Sequence, residues 1–234
     1  MTVAAVILFA TVEGALADAA GRPAVRRTVE SAWAGGATPI VVVSFDEGAQ
    51  VASALAGSPA VLAEPAPPDA GPVGQIVRAI AVAAERVTET EAALVWPGRM
   101  VWVDAETVTS LIERHGADRD ALLRPQYDGL AGWPALLPVE LSPALAELSS
   151  DLQPGDLLER LAESHRLLSV DTGDPGTVHD RSMALDDLPP FEGPPEPVAG
   201  PPPEWGAAAA DVSDEGPLAG PALAPYGQAA ADDT

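Results

Sequence analysis

The chain has 234 residues, 47% of them apolar, and a formal net charge of −23 at pH 7. This length and apolar content are enough for one domain of roughly 190 residues with a sizeable core, followed by a tail. So strong a negative charge repels phosphate groups, which argues against binding to nucleic acid or to an anionic membrane surface.

Two residue types are absent from the sequence, and each absence excludes a kind of chemistry. There is no cysteine, which excludes disulfides and thiolate metal sites and makes the cytoplasm the expected compartment. All twelve basic residues are arginine, so no lysine can form a Schiff base, act as a general base or bind a phosphate group. No apolar run approaches the roughly 20 residues that are needed to span a bilayer.

Short apolar runs alternate with stretches that have apolar residues at helical spacing. The runs predict strands at 3–10, 38–45, 60–64, 92–96 and 121–123, and the stretches predict helices at 23–33, 46–55, 72–87 and 104–114. The first run lacks the basic flank of a signal peptide, so we expect a buried strand there. This alternation predicts a Rossmann-like, doubly wound α/β fold with a mostly parallel sheet and helices on both faces.

The pattern changes after Arg124. A loop over 124–138 precedes helical stretches at 140–148 and 155–163 and a last strand at 166–171. From residue 189 onward, proline, alanine and glycine dominate, with eight acidic residues and no basic one. Such a composition buries too little apolar surface to offset the entropy of ordering. We therefore expect a folded domain over residues 1–188 and a disordered acidic tail over 189–234.

Two aromatic residues in the predicted tail, Trp205 and Tyr226, are candidate docking points for a partner protein. The alternative is a solubilising tail with two incidental aromatic residues. Within the folded part, chemistry is expected at the loop of the stretch 94–108, which has Arg99 at its tip. Loops at the carboxyl ends of parallel strands form the ligand site in α/β proteins.

The most specific residues of the second half of the sequence are Arg124, Pro125, Tyr127, Gly129, Gly132 and Pro134, followed by Asp174, Gly176 and Asp180. Together with the stretches 71–83 and 94–108, they resemble the MobA-like nucleotidyltransferases, which include the cytidylyl- and guanylyltransferases of molybdenum cofactor. The resemblance covers about residues 3–188. It implies a nucleotide-binding domain that holds a divalent metal on two aspartates and transfers a nucleotidyl group to a phosphate acceptor.

The first loop departs from the family pattern. Family members have LAAGxSxRMGxPK there, whereas residues 9–23 read FATVEGALADAAGRP. The loop is shorter, has no lysine and carries Glu13 and Asp18, which would repel a triphosphate. Arg22 compensates only in part. The sequence therefore argues against nucleotide binding.

The metal site departs as well. The family motif GDQP aligns with Gly98, Arg99, Met100 and Val101, so Arg99 replaces a metal-binding aspartate. The second motif, DxDTPEDL, keeps Asp180 but has Ser182 at the next aspartate position. A guanidinium excludes a metal ion by charge and volume. We expect no metal cofactor, and Asp180 remains as the one weak candidate ligand.

The predicted ligand crevice combines the family positions with the arginines near them. Trp133 replaces the histidine of the family's Gly-His-Pro, and a pocket lined by Trp96, Trp102 and Trp133 would suit a flat ligand. His115, His165 and His179 are scattered and expected to be structural or surface residues. The crevice candidates are Arg22, Gly98, Arg99, Arg124, Tyr127, Gly132 and Trp133.

Three hypotheses follow. The first is a pseudoenzyme without a cofactor that acts as a non-catalytic binding or assembly partner, with molybdenum-cofactor proteins or their maturation machinery as candidate partners. The alternative is an active nucleotidyltransferase that transfers a nucleotidyl group from CTP or GTP to a phosphate acceptor such as molybdopterin. It would use Mg²⁺, with Arg22, Arg26 or Arg99 as a phosphate clamp. The third is a small-molecule binder that uses the tryptophan pocket.

Overall fold

Runs of small and β-branched residues form the strands, because such side chains pack well on a pleated surface that is covered on both sides. The computed structural model describes residues 2–195. The strands are β1 (Thr2–Leu8), β2 (Ile40–Val43), β3 (Ala60–Ala63), β4 (Thr90–Pro97), β5 (Leu122–Tyr127), β6 (Leu130–Ala131), β7 (Ala135–Pro138) and β8 (Leu167–Asp171). The helices are α1 (Val12–Leu16), α2 (Ala24–Ala34), α3 (Gln50–Ala54), α4 (Gly71–Arg86), α5 (Ala105–Ala117), α6 (Ser142–Ala146) and α7 (Pro154–Ala162).

The strands form one eight-stranded sheet in the order β3-β2-β1-β4-β7-β5-β6, with β8 paired to β5. Strand β1 pairs in parallel with β2 and β4, β2 with β3, and β5 with β8. Strand β7 is antiparallel to both of its neighbours, β4 and β5. The predicted Rossmann-like, mostly parallel α/β fold is confirmed.

The predicted loop over 124–138 is wrong. That stretch contains the end of β5 and the whole of β6 and β7, and Ala135–Pro138 is buried throughout. The prolines and glycines of the stretch indicated a loop, yet they stand in and between very short strands. The Gly132 N–H donates to the Pro125 carbonyl, at 2.7 Å, so a proline in β5 still contributes to the pairing through its oxygen.

The core lies on both faces of the central strands. The five inner residues of β1 are buried, and α2 and α4 cover the sheet with their apolar faces. Burying a valine, leucine or isoleucine side chain contributes about 1.5–3 kcal/mol. The buried residues of α2 lie between Ala24 and Ala32. Helical spacing predicts Trp33 on the same buried face, and that prediction is wrong, since Trp33 in the last turn is 56% exposed.

The described part of the chain contains no helix that is long and apolar enough to cross a membrane. Residues 189–195, the start of the predicted acidic tail, follow the last described element, and the Glu192 N–H donates to the Gly173 carbonyl at 3.1 Å. The rest of that predicted tail, including Trp205 and Tyr226, lies outside the described residues.

Candidate functional site

A crevice opens at the edge of the sheet where the parallel strands β1 to β4 end. It consists of three neighbouring cavities that share lining residues. We name them the carboxylate cavity (about 750 Å³, lined by Asp46, Glu47 and Glu64), the central cavity (about 290 Å³) and the arginine cavity (about 190 Å³, lined by Arg99 and Arg181). The crevice lies where the predicted Arg99 loop is, at the carboxyl ends of the strands.

The central cavity is mainly apolar. Phe9 follows β1, Phe45 follows β2, and both line it together with Arg99, the one charged group among its described lining residues. One wall is the segment after β3, which Gln75 of α4 holds in place. The Gln75 amide accepts from the Ala66 N–H at 2.8 Å and donates to the Ala66 carbonyl at 2.9 Å. The cavity therefore offers an apolar surface with a cation at its end.

Arg99 stands on a tight turn after β4. The Met100 N–H donates to the Pro97 carbonyl, and the Gly98 N–H donates to the Leu8 carbonyl of β1, both at 2.9 Å. Gly98 has no room for a side chain, since a Cβ there would lie 2.4 Å from the Phe9 ring. The turn thus holds Arg99 at the crevice with its side chain 62% exposed.

Asp180 lies beside this arginine. The Arg99 Nε is 3.7 Å from an Asp180 carboxylate oxygen, and the Ser182 N–H donates to the other oxygen at 2.9 Å. A side-chain hydrogen bond from Ser182 lowers the pKa of Asp180, and the charges of Arg99 and Arg181 lower it further. The carboxylate is therefore held ionised by an arginine and a serine.

Arg181 connects the two loops of the crevice. The Arg181 backbone N–H donates to the Arg99 carbonyl, in the loop after β4, at 2.9 Å. The Nη1 of its side chain donates to the Gly14 carbonyl, in the segment after β1, also at 2.9 Å. Arg181 lines the same small cavity as Arg99, and the described residues that line it include no aspartate or glutamate, although Asp180 lies beside Arg99. Arg181 is not among the residues predicted from the sequence, although its position next to Asp180 was a usable signal.

The other arginine candidates lie elsewhere. Arg22 forms an ion pair with Glu30, and the Arg26 Nε is 2.9 Å from the same carboxylate. Arg26 also donates to the Ala56 carbonyl at 3.0 Å. Neither arginine is among the described residues that line the three cavities.

Four further candidates form a second group around the β5–β7 hairpin. The Arg124 Nε donates to the Gly132 carbonyl at 3.1 Å, and its guanidinium lies 5.6 Å from the centre of the Trp133 ring. Gly132 is in tight contact with Thr177, from which a Cβ would be 2.6 Å away. Burial lowers the pKa of Arg124. Tyr127 ends β5 and is half-buried. These residues contribute packing and hydrogen bonds rather than crevice lining.

The three tryptophans do not share a cavity. Trp96 is fully buried, and its indole N–H donates to the Met100 carbonyl at 2.8 Å. The Trp102 indole N–H donates to the carbonyls of Asp180 and Met183. The Arg27 guanidinium lies over the Trp102 ring, 4.8 Å from the ring centre. Each ring is thus occupied by its own neighbours.

Asp174 and Asp180, which both follow β8, have different roles. Asp174 is buried and accepts hydrogen bonds from the Asp104 N–H, the Thr107 hydroxyl and the Gly176 N–H at 2.7–2.9 Å. It joins the start of α5 to the segment after β8. Within residues 2–195, no group of three or more histidine, aspartate or glutamate side chains is placed to hold a metal ion.

The family model for the MobA-like NTP transferase domain matches residues 13–166. The chain belongs to this family. No curated protein sequence matches the chain. Solved structures of nucleotidyltransferases share its fold. A nucleotidyl transferase from Methanothermobacter thermautotrophicus superimposes with a TM-score of 0.62 at 17% identity, covering 79% of this chain and 94% of that one.

Two other solved structures show the same fold. The 4-diphosphocytidyl-2C-methyl-D-erythritol synthase of Anaerococcus prevotii has a TM-score of 0.58 at 12% identity, with 79% of this chain and 94% of that one covered. Rv0371c from Mycobacterium tuberculosis, in complex with manganese, has a TM-score of 0.54 at 19% identity, with 73% and 89% covered. The nucleotidyltransferase fold expected from the resemblance is therefore confirmed.

Proposed function

We propose that this MobA-like domain does not bind a metal–nucleotide complex and that it acts as a non-catalytic binding or assembly partner. The observation that carries the proposal is the Arg99 guanidinium beside Asp180. The family resemblance assigns a metal-binding aspartate to position 99, and Mg²⁺ needs oxygen ligands with negative charge. A cation in that position repels the metal and neutralises the one carboxylate that remains, so the residues present do not fit the ion.

The first loop supports the same conclusion. Phosphate-binding loops use free backbone N–H groups and a basic side chain to hold the phosphates. Here the Gly14 N–H donates to the Thr11 hydroxyl oxygen at 2.9 Å, and Arg181 binds the Gly14 carbonyl. With these groups bound and Glu13 nearby in the chain, the loop offers little to a triphosphate.

The proposed partner is a protein. The family relationship suggests molybdenum-cofactor proteins or their maturation machinery, since MobA-like enzymes include the transferases of that cofactor. The direct test is affinity purification of the full chain from its host, followed by identification of the bound proteins. Recovery of a molybdoenzyme or one of its maturation factors supports the assignment. Recovery of a stable complex that contains only unrelated proteins overturns it.

Calorimetry tests the loss of nucleotide binding. The full chain is titrated with CTP, GTP and ATP in the presence of Mg²⁺ or Mn²⁺. We expect no saturable binding in the low micromolar range for any of them. Binding in that range by any of the three nucleotides overturns the pseudoenzyme proposal.

One observation favours an active nucleotidyltransferase as a second candidate. Arg99 and Arg181 line one cavity, and paired guanidiniums bind phosphate oxygens through two hydrogen bonds each. In this reaction a phosphate oxygen of the acceptor would attack the α-phosphorus of CTP or GTP, and pyrophosphate would leave. Pyrophosphate release in the presence of molybdopterin, with and without Mg²⁺, decides between the candidates: release establishes the enzyme, and no release excludes it.

A further inference from the structure

The charges of the crevice are arranged in order along its length. Arg99 lines both the arginine cavity and the central cavity. Phe45 and Pro65 line both the central cavity and the carboxylate cavity. The crevice therefore runs from two arginines, past an apolar surface, to three carboxylates.

Arg99 and Arg181 make the arginine cavity a local reversal of charge in a protein of net charge −23, although the Asp180 carboxylate lies beside Arg99. Each guanidinium has five N–H donors, and the Gly14 carbonyl accepts from one of those of Arg181. Thr11 also lines the cavity. Because its hydroxyl oxygen accepts from the Gly14 N–H, its own O–H is a further donor. This donor set suits the oxygens of one anionic group.

We propose that the crevice binds a phosphate monoester with an apolar or aromatic body, and that it does so without a metal ion. The phosphate lies between Arg99 and Arg181, and the body lies in the central cavity against Phe9 and Phe45. This proposal rests on the proposed function, because it describes what the site takes in place of a metal–triphosphate complex.

The far end of the crevice limits the number of phosphates. Asp46, Glu47 and Glu64 line the carboxylate cavity, and its described lining residues include no basic side chain. Further phosphate groups extending in that direction would meet like charges, which repel over several ångströms at a protein surface. The ion pair that the phosphate must disturb, Arg99 with Asp180, is partly exposed, and such pairs are weak.

Binding of phenyl phosphate in the presence of EDTA tests the proposal, with inorganic phosphate and phenol as separate probes. We expect saturable binding of phenyl phosphate that is tighter than binding of either fragment. Removing one of two charge-assisted contacts weakens binding by about tenfold or more, so Arg99→Gln and Arg181→Gln should each show that loss. Arg160→Gln is the matched control, since Arg160 is exposed on α7 and pairs with Glu163, and it should bind as the unaltered protein does.

Three outcomes overturn the proposal: no saturable binding of phenyl phosphate at millimolar concentration, equal affinity for inorganic phosphate alone, or undiminished binding by Arg99→Gln. Because Arg181 also contacts Gly14, the circular dichroism spectrum and the Tm of its variant are compared with those of the unaltered chain. The result with phenyl phosphate can be distinguished from the result of the nucleotide calorimetry. Binding of magnesium–CTP overturns the proposed function, whereas failure of both ligands to bind overturns only this inference.

Discussion

Two regions of the molecule carry family-like residues and use them differently. In the hairpin region, formed by β5 to β7 and the segment 172–177, the family-like residues pack against one another. Arg124 lies over Trp133, and Gly132 is in tight contact with Thr177. In the crevice, Arg99 stands at the position to which the sequence resemblance assigns a metal-binding aspartate. Residues needed for packing and residues needed for chemistry can therefore change independently.

Two aspartates of the same segment show this difference within a few residues. Asp174 is buried and accepts three hydrogen bonds, from the Asp104 N–H, the Thr107 hydroxyl of α5 and the Gly176 N–H of its own turn. Asp180 lies at the crevice beside Arg99. Both match the family, but only the second lies where the resemblance implies chemistry, and there its neighbours have changed.

The largest expected effect is on the stability of the hairpin region. A Cβ at Gly176 would lie 2.2 Å from the Trp102 carbonyl oxygen, and backbone cannot move aside as a side chain does. Gly176→Ala should therefore lower the free energy of unfolding by about 3 kcal/mol or more. Urea unfolding measures the change.

Gly155→Ala is the control for that substitution. No atom lies within 4 Å of a Cβ at Gly155, which is in the first turn of α7, so alanine should leave the free energy of unfolding unchanged or raise it by up to about 1 kcal/mol. If Gly176→Ala were as stable as Gly155→Ala, the close packing of this segment on Trp102 would be refuted.

The next effect is a difference between the contributions of Arg124 and Arg99 to stability. Arg124→Ala removes a hydrogen bond to Gly132 and the stacking on Trp133, and it should cost about 1–2 kcal/mol of stability. Arg99→Ala removes only a partly exposed ion pair and should cost about 0–1 kcal/mol. The same unfolding experiment compares them. Equal losses would contradict the division into a packed region and a crevice.

A smaller effect appears in the titration of the two aspartates. Burial raises the pKa of Asp174, and its hydrogen bonds oppose this only in part, whereas the hydrogen bond from Ser182 lowers the pKa of Asp180. The stabilising contribution of Asp174 is thus present below its unfolded pKa and is lost as pH rises through its folded pKa. That of Asp180 is present above its unfolded pKa and is lost as pH falls through its folded pKa.

Carbon-detected NMR of the side-chain carboxyl groups measures both titrations. Asp174 should titrate above the usual range of aspartate and Asp180 below it. The variant Asp174→Asn should lose the first of the two pH dependences of stability while keeping the second. The opposite order of the two pKa values would contradict the assigned environments.

Much of the fold could be predicted from the sequence because local pattern determines it. The continuous apolar runs of β1 and β2 and the helical spacing of the apolar residues in α4 are clear local patterns, and the structure has these elements near the predicted places. The hairpin could not be predicted from the sequence, because β6 has only two residues and its neighbouring strands contain prolines. Strands so short depend on tertiary packing, which no local pattern reveals.

The site was predictable only where one residue decides it. Arg99 stands out because a cation replaces an expected carboxylate. Arg181 acts through Gly14, which is 167 positions away in the chain, and no spacing rule brings such residues together. Trp96, Trp102 and Trp133 resembled a ligand pocket by type, but their indole and ring contacts are internal.

Manganese binding directly tests the proposal that Arg99 prevents the site from holding a divalent metal ion. Electron paramagnetic resonance measures bound Mn²⁺ in the presence of CTP for the unaltered chain and for the double variant Arg99→Asp with Ser182→Asp, which supplies the two missing carboxylates. We expect no protein-bound Mn²⁺ for the unaltered chain and a gain of protein-bound Mn²⁺ for the double variant. Bound Mn²⁺ with CTP in the unaltered chain would contradict it.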